Sequence, residues 1–286
     1  MQGFTAWIMA LALMVMAINT QAQSSKPDTP SVLVSIHPIA MLIKSAWPDL
    51  HVTTLMKPNQ SPHDFALKPS HRRLVAQSQH VIWLGDEMEP YLTKLVAGHT
   101  SALDLSGLFE LAEEANDHHD GHNHGEHDPH IWLNPNAISS ILNMVQQQLS
   151  LQEPNAFLQQ LAQWQLKAKT QLEGLDAGFI SFHDAFHYWI NYFALNQVAA
   201  LALNPEQPIG TRHLVKVRQI LSDGKATCLF IEPQFKASIV KKLQQGTNVP
   251  VVDIDPIGSQ FNVNDGKFFA FYDYLLMQFQ TCLKAK

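Results

Sequence analysis

Two cysteines are all that the 286 residues contain. That excludes a disulfide-framework mini-protein and a four-cysteine zinc module. Charged side chains are also scarce, at 15% against 46% hydrophobic residues, which excludes a disordered chain and a highly charged coiled coil. There is no basic excess: 19 Lys and Arg face 25 Asp and Glu, for a net charge of −6 with the 15 histidines neutral. A chain without a basic face is not built for nucleic acid. Nor is there a stretch of the roughly 20 apolar residues that a membrane-spanning helix needs.

The run from Ala6 to Ile18 is instead of the length of a signal-peptide core, and the first 22 residues carry no charged side chain. Thr20-Gln21-Ala22 puts small residues at the −3 and −1 positions of a cleavage site. Residues 1–22 are therefore expected to be a signal peptide, with a retained membrane anchor as the alternative, and the remaining chain to work outside the cytoplasm. No cysteine follows the apolar run, so lipid attachment there is excluded. In an oxidising compartment Cys228 and Cys282 can pair, or they can stay as two buried thiols.

Short β-rich runs alternate with helix-length amphipathic runs. Strands are predicted at Val32–Ile36, His51–Met56 and Val81–Gly85, with helices at Pro38–Ala46, Pro69–Ser78 and Met88–Ala97. The pattern returns at Phe179–Phe182, Thr227–Ile231 and Val251–Ile254, with helices at Asp184–Leu195, Thr211–Leu221, Ala237–Gln245 and Phe268–Leu283. Between the halves, Asn136–Leu149 and Ala156–Leu172 read as helices. The expected fold is α/β, with two Rossmann-like parallel-sheet lobes joined by a long rigid helix. The expected division is an N-terminal lobe at 23–153, a connector at 154–174 and a C-terminal lobe at 175–286. Open parallel sheets bind ligands beyond the C-terminal ends of their strands, so two facing lobes make an interlobe cleft.

Six histidines fall within 13 residues: His118, His119, His122, His124, His127 and His130. Seven acids and no Lys or Arg lie between Glu110 and Asp128, while the rest of the chain carries 19 basic and 18 acidic residues. Imidazole and carboxylate together attract zinc, copper and nickel. The segment 113–128, with Gly121 and Gly125, reads as a loop whose first five histidines would capture metal in an auxiliary way; a solvated linker is the bland alternative. A fixed site needs residues at strand and loop ends. His63, His130, His183 and Asp255 all have such positions, and three neutral imidazoles with one carboxylate suit tetrahedral Zn²⁺. Imidazole must be neutral to bind metal, so affinity is expected to drop as pH falls through about 6.

These residues resemble the metal-binding receptors of ABC transporters, the cluster A-I solute-binding proteins. The resemblance is carried by Ser61-Pro-His63-Asp-Phe-Ala-Leu-Lys-Pro-Ser70, Val81-Ile-Trp-Leu-Gly-Asp-Glu-Met-Glu89 and the His-rich acidic insertion. It continues through His130-Ile-Trp-Leu-Asn-Pro135, Phe182-His-Asp-Ala-Phe186, Ala226-Thr-Cys-Leu-Phe-Ile-Glu-Pro-Gln-Phe235 and Asp255-Pro-Ile-Gly258. It implies a periplasmic receptor that carries Zn²⁺ to an inner-membrane ABC permease, with no catalysis. It implies His63, His130 and His183 as imidazole ligands, Asp255 as the carboxylate ligand, and a Cys228–Cys282 disulfide. Manganese members tend to carry a carboxylate where His183 stands, so the third imidazole favours zinc. Pro62 stands where some zinc members carry an acid. The expected partners are Zn²⁺ and the permease, for a chain acting as a monomer. The rival reading is a secreted zinc hydrolase, because His183-Asp-Ala-Phe-His187 loosely mimics the H-E-x-x-H helix.

Overall fold

The computed structural model describes residues 30–109, 127–202, 209–233, 243–244 and 246–285. The expected signal peptide, most of the His-rich loop and most of the expected helix at 237–245 lie outside them.

The described residues build two four-stranded, all-parallel sheets of the same topology. The first has the order β2-β1-β3-β4, from β1 (Ser31–Val34), β2 (His51–Thr54), β3 (His80–Trp83) and β4 (Ala102–Asp104). The second has the order β6-β5-β7-β8, from β5 (Phe179–His183), β6 (Gln197–Ala202), β7 (Cys228–Ile231) and β8 (Val251–Asp253). β1 and β5 lie inside their sheets and are almost wholly buried. Their mostly apolar residues suit strands covered on both faces. Edge strand β2 instead alternates, with His51 and Thr53 exposed and Val52 buried.

Helices fill the connections: α1 (His37–Ala46), α2 (Pro69–Gln77), α3 (Thr93–Val96), α4 (Ile138–Leu149), α5 (Asn155–Leu172), α6 (His187–Phe193), α7 (Thr211–Ser222) and α8 (Phe268–Leu283). Two expected helices are shorter than the sequence suggests. Pro90 interrupts 88–97 and leaves only α3. Residues 184–186 continue from β5, where the Asp184 N–H donates to the Ala202 carbonyl at 3.0 Å, and the helix starts at His187. Edge strands β4 and β6 carry no strong strand signal in sequence. They form because β3 and β5 offer a row of backbone partners.

α5 spans 18 residues, about 27 Å at 1.5 Å per residue. Its buried face is Phe157, Leu161, Trp164, Ala168 and Leu172, a helical spacing with Gln and Lys on the outside. Trp164 packs at a tilt against Tyr272 (ring centroids 4.8 Å) and donates from Nε1 to Asp273 Oδ1 at 3.0 Å, which docks the connector on α8. α8 buries Phe268, Phe271, Tyr272, Leu275, Leu276, Phe279, Cys282 and Leu283. Each such side chain contributes roughly 1.5–3 kcal/mol of transfer free energy. Cys228, at the start of β7, and Cys282, in the last turn of α8, form a disulfide with Cα atoms 5.5 Å apart.

The segment between β8 and α8 crosses back to the first lobe. His37 Nε2–H donates to the Phe261 carbonyl at 2.7 Å, and Ser45 Oγ accepts from the Phe268 N–H at 3.0 Å. Gly258 makes the crossing possible: its φ is +69°, and a Cβ there would lie 2.7 Å from Phe271 and 2.9 Å from Met41. Among the described residues, no helix is long and apolar enough to cross a membrane.

Candidate metal centre

His63 sits on a single 3₁₀ turn, Pro62–Asp64, in the loop after β2. Pro62 presets the backbone and Ser61 Oγ accepts the His63 N–H at 3.2 Å, so the turn is locally specified. His130 precedes a second 3₁₀ turn, Ile131–Leu133. Its N–H and its ring Nδ1–H both donate to Asp128 Oδ1, at 3.0 and 2.6 Å. That bond fixes the tautomer and aims the Nε2 lone pair away from Asp128. His183 ends β5, and its Nδ1 lies 3.4 Å from Glu232 Oε1, just beyond β7. Both rings are buried.

These three histidines meet. One ligand atom from each lies within 4.8 Å of the others, and among the described residues they form the one such His, Cys, Asp and Glu group. Ring centroids are 5.4, 5.0 and 5.1 Å apart, close to an equilateral triangle. His63 Nε2 and His130 Nε2 are 3.3 Å apart. A tetrahedral ion bonded to nitrogen at about 2.0–2.1 Å sets its ligand atoms about 3.3–3.4 Å apart. The spacing fits zinc before any ion is placed.

Burial, and then the neighbouring His130 and His183 rings, push the His63 pKa down to about 2. The folded, metal-free site therefore keeps this ring neutral well below pH 6. The consequence falls on stability. Unfolded histidine takes up a proton below about pH 6.5, and the folded ring does not, so zinc-free protein loses stability as pH falls. Between pH 6.5 and 5 this costs at most about 2 kcal/mol. Thermal unfolding of zinc-free wild type and His63→Ala at pH 7.5 and 5 tests it: wild type should lose several degrees more than the variant. Equal losses would show that His63 does not resist protonation.

Asp255, the expected carboxylate ligand, is buried just past β8 but is not brought into the group of three. Its Oδ1 accepts from the Ile257 N–H at 3.0 Å, and its Oδ2 from Ser259 N–H and Oγ–H at 2.7 and 2.5 Å. His187 is likewise outside the group. His183 ends a strand and His187 starts a helix, so the two do not share a helical face as a hydrolase motif requires. His187 Nε2 accepts from Asn191 Nδ2 at 3.0 Å. His127 is the one auxiliary loop histidine within the described residues, and it is half-buried. His118, His119, His122 and His124 lie outside them.

Sequence reading counted Asp128 only among the acids of the His-rich loop and assigned no role to Glu232. The available signal was a short acid two residues before a histidine for Asp128. Glu232 gave none, since its neighbour His183 is distant in sequence. The segment carrying His130 is tied to the other lobe: Tyr188 Oη donates to the Asp128 carbonyl at 2.7 Å, Tyr272 Oη to that of Trp132 at 2.8 Å, and Trp132 Nε1 to that of Pro256 at 2.8 Å. The triangle is thus assembled by contacts from both lobes.

Residues 32–282 match the family described as ZnuA, zinc-uptake complex component A, periplasmic. The chain belongs to the ZnuA family. Members of this family are solute-binding transport proteins, and the chain is one of them rather than an enzyme. The high-affinity zinc uptake system protein ZnuA of Yersinia pestis is 31% identical over 89% of this chain and 91% of its own length. The protein of the same description from Haemophilus ducreyi is 28% identical over 96% of this chain and 97% of its own. A crystal structure of a ZnuA deletion mutant with zinc bound superposes with a TM-score of 0.73 at 19% identity, covering 91% of this chain and all of that one. The periplasmic zinc-binding protein TroA from Treponema pallidum gives 0.70 at 16% identity, covering 89% of this chain and 99% of that one. The structural likenesses establish the two-lobed ZnuA and TroA fold.

Proposed function

We propose that this chain captures Zn²⁺ in the periplasm through His63, His130 and His183 and hands it, as a monomer, to an inner-membrane ABC permease. The observation that carries the reading is the triangle of imidazoles with a 3.3 Å nitrogen pair. Asp255 is the proposed fourth ligand. Its Oδ1 accepts from Ile257 N–H over a longer distance than Oδ2 accepts from Ser259 N–H, and can turn to the metal while Oδ2 keeps Ser259. A divalent ion among three neutral rings needs negative charge nearby, and Asp128, Glu232 and Asp255 supply it from buried positions. Four protein ligands saturate zinc, whereas a hydrolytic site keeps a position for water.

The lobes divide at a connector spanning 154–174, consistent with one sheet ending at Asp104 and the other starting at Phe179. A helix docked along α8 permits only small lobe movements, so release follows from docking on the permease rather than from wide opening. His118, His119, His122, His124 and His127 collect metal for the central site. Zinc titration by calorimetry, with wild type and a chain lacking residues 118–127, tests this division of labour. The deletion should lower total stoichiometry and leave one tight site. Loss of the tight site on deletion would show that the ligands lie in the loop.

A further inference from the structure

Each lobe places a buried carboxyl at the same point of its fold. β1 and β3 send their crossovers to opposite sides of the first sheet, and β5 and β7 to opposite sides of the second, so a crevice lies beyond the ends of β1 and β3 in one lobe and of β5 and β7 in the other. In the second lobe Glu232 stands there and faces His183. In the first lobe Glu89 stands there, fully buried, with Oε2 accepting the Leu84 N–H at 2.7 Å. Its Oε1 lies 3.4 Å from the Tyr91 hydroxyl, which lies 3.1 Å from the Pro62 carbonyl, one residue before His63. The zinc-binding reading uses neither Glu89 nor Tyr91.

Tyr91 has one hydroxyl hydrogen and two acceptors in reach. When Glu89 carries a proton, it can donate to the phenolic oxygen, and the Tyr91 hydrogen goes to the Pro62 carbonyl. The turn bearing His63 is then tied to the core of its lobe. When Glu89 is ionised it becomes the stronger acceptor, Tyr91 turns to it, and the Pro62 carbonyl loses its donor. We propose that Glu89 and Tyr91 are positioning residues for His63, and that the Tyr91 hydroxyl's choice of acceptor sets how tightly the site holds zinc. This rests on the zinc-binding reading above.

The surroundings put the exchange in the working pH range. Burial pushes Glu89 up to about 7; the charge of Asp104 adds to the rise, while the Leu84 N–H and the Ser35 and Tyr91 hydroxyls oppose it. Burial and Glu89 raise Tyr91, which stays a neutral donor. The sign is distinctive. Proton competition at imidazoles tightens zinc binding as pH rises, whereas this exchange loosens the hold.

Zinc dissociation into excess chelator, followed by stopped flow at pH 6 and pH 8, tests the proposal in wild type, Tyr91→Phe and Glu89→Gln. One hydrogen bond corresponds to about 3–10-fold in rate. The carboxamide introduced by Glu89→Gln donates permanently to the Tyr91 oxygen, so this variant should release zinc slowly at both pH values and carry any background pH effect. Relative to it, wild type should match at pH 6 and release about 3–10-fold faster at pH 8. Tyr91→Phe, which keeps its ring against Phe65, should be fast at both. Tyr91→Phe equal to wild type at both pH values, or Glu89→Gln as fast as Tyr91→Phe, overturns the proposal. Should Glu89→Gln fail to fold, Tyr91→Phe against wild type at pH 6 decides alone. Failure of wild type to bind zinc tightly would defeat the zinc reading itself, whereas tight binding with an unaltered Tyr91→Phe defeats only this inference.

Discussion

Replacing His63, His130 or His183 with Ala should lower zinc affinity by about 100-fold or more each. A closed four-ligand zinc site is worth about 10–16 kcal/mol, so one ligand accounts for roughly 3 kcal/mol, and each 1.4 kcal/mol is tenfold. Asp255→Ala should fall in the same range if its Oδ1 turns to the metal as proposed. Asp128→Asn leaves the ligand set intact but weakens the acceptor that orients His130 at 2.6 Å, and should cost about 10–100-fold. His187→Ala should change affinity little, because His187 is outside the triangle and bonds Asn191. Competition against a zinc chelator of known strength measures every one of these variants. A large loss with His187→Ala, together with small losses at the three histidines, would contradict the assignment.

Removing the disulfide should have the largest effect on stability. Cys228 and Cys282 are 54 residues apart in sequence, and closing a loop of that length constrains the unfolded chain by about 4 kcal/mol in the chain-entropy model. Domains are commonly stable by about 5–15 kcal/mol, so about a quarter or more of the total is at stake. The bridge joins the start of β7 to the end of α8, and α8 in turn holds the connector and Trp132, next but one to His130. Double substitution to Ser should lower the urea midpoint strongly in zinc-free protein and less with zinc bound, since ligand binding stabilises the folded state. A midpoint change worth under about 1 kcal/mol would show that the bridge contributes little.

Most of the fold was legible because buried parallel strands advertise themselves. Ser31–Val34 and Cys228–Ile231 stand out as short apolar runs, and α8 appears at its predicted bounds because its aromatic face repeats with helical period. β4 and β6 were not legible: at an edge, pairing with a neighbour decides, and Gln197–Ala202 is rich in alanine. The three histidines were legible as strand-end and loop-end residues, with their family motifs. What sequence could not supply was orientation. Asp255 stood out as a ligand by position, but the turn at 257–259 that holds its carboxylate was not legible. The partners that hold the rings, Asp128 and Glu232, and the Glu89–Tyr91 pair behind His63, depend on long-range packing that spacing does not encode.

The central claim is that imidazoles from three separate segments converge on one ion. Anomalous scattering at the zinc absorption edge, on crystals of the zinc-loaded protein, tests it most directly. The account predicts one strong peak between residues 63, 130 and 183, at about 2.0–2.2 Å from a ring nitrogen of each. A strong peak lying elsewhere, or bonded to fewer than three of these rings, would contradict it.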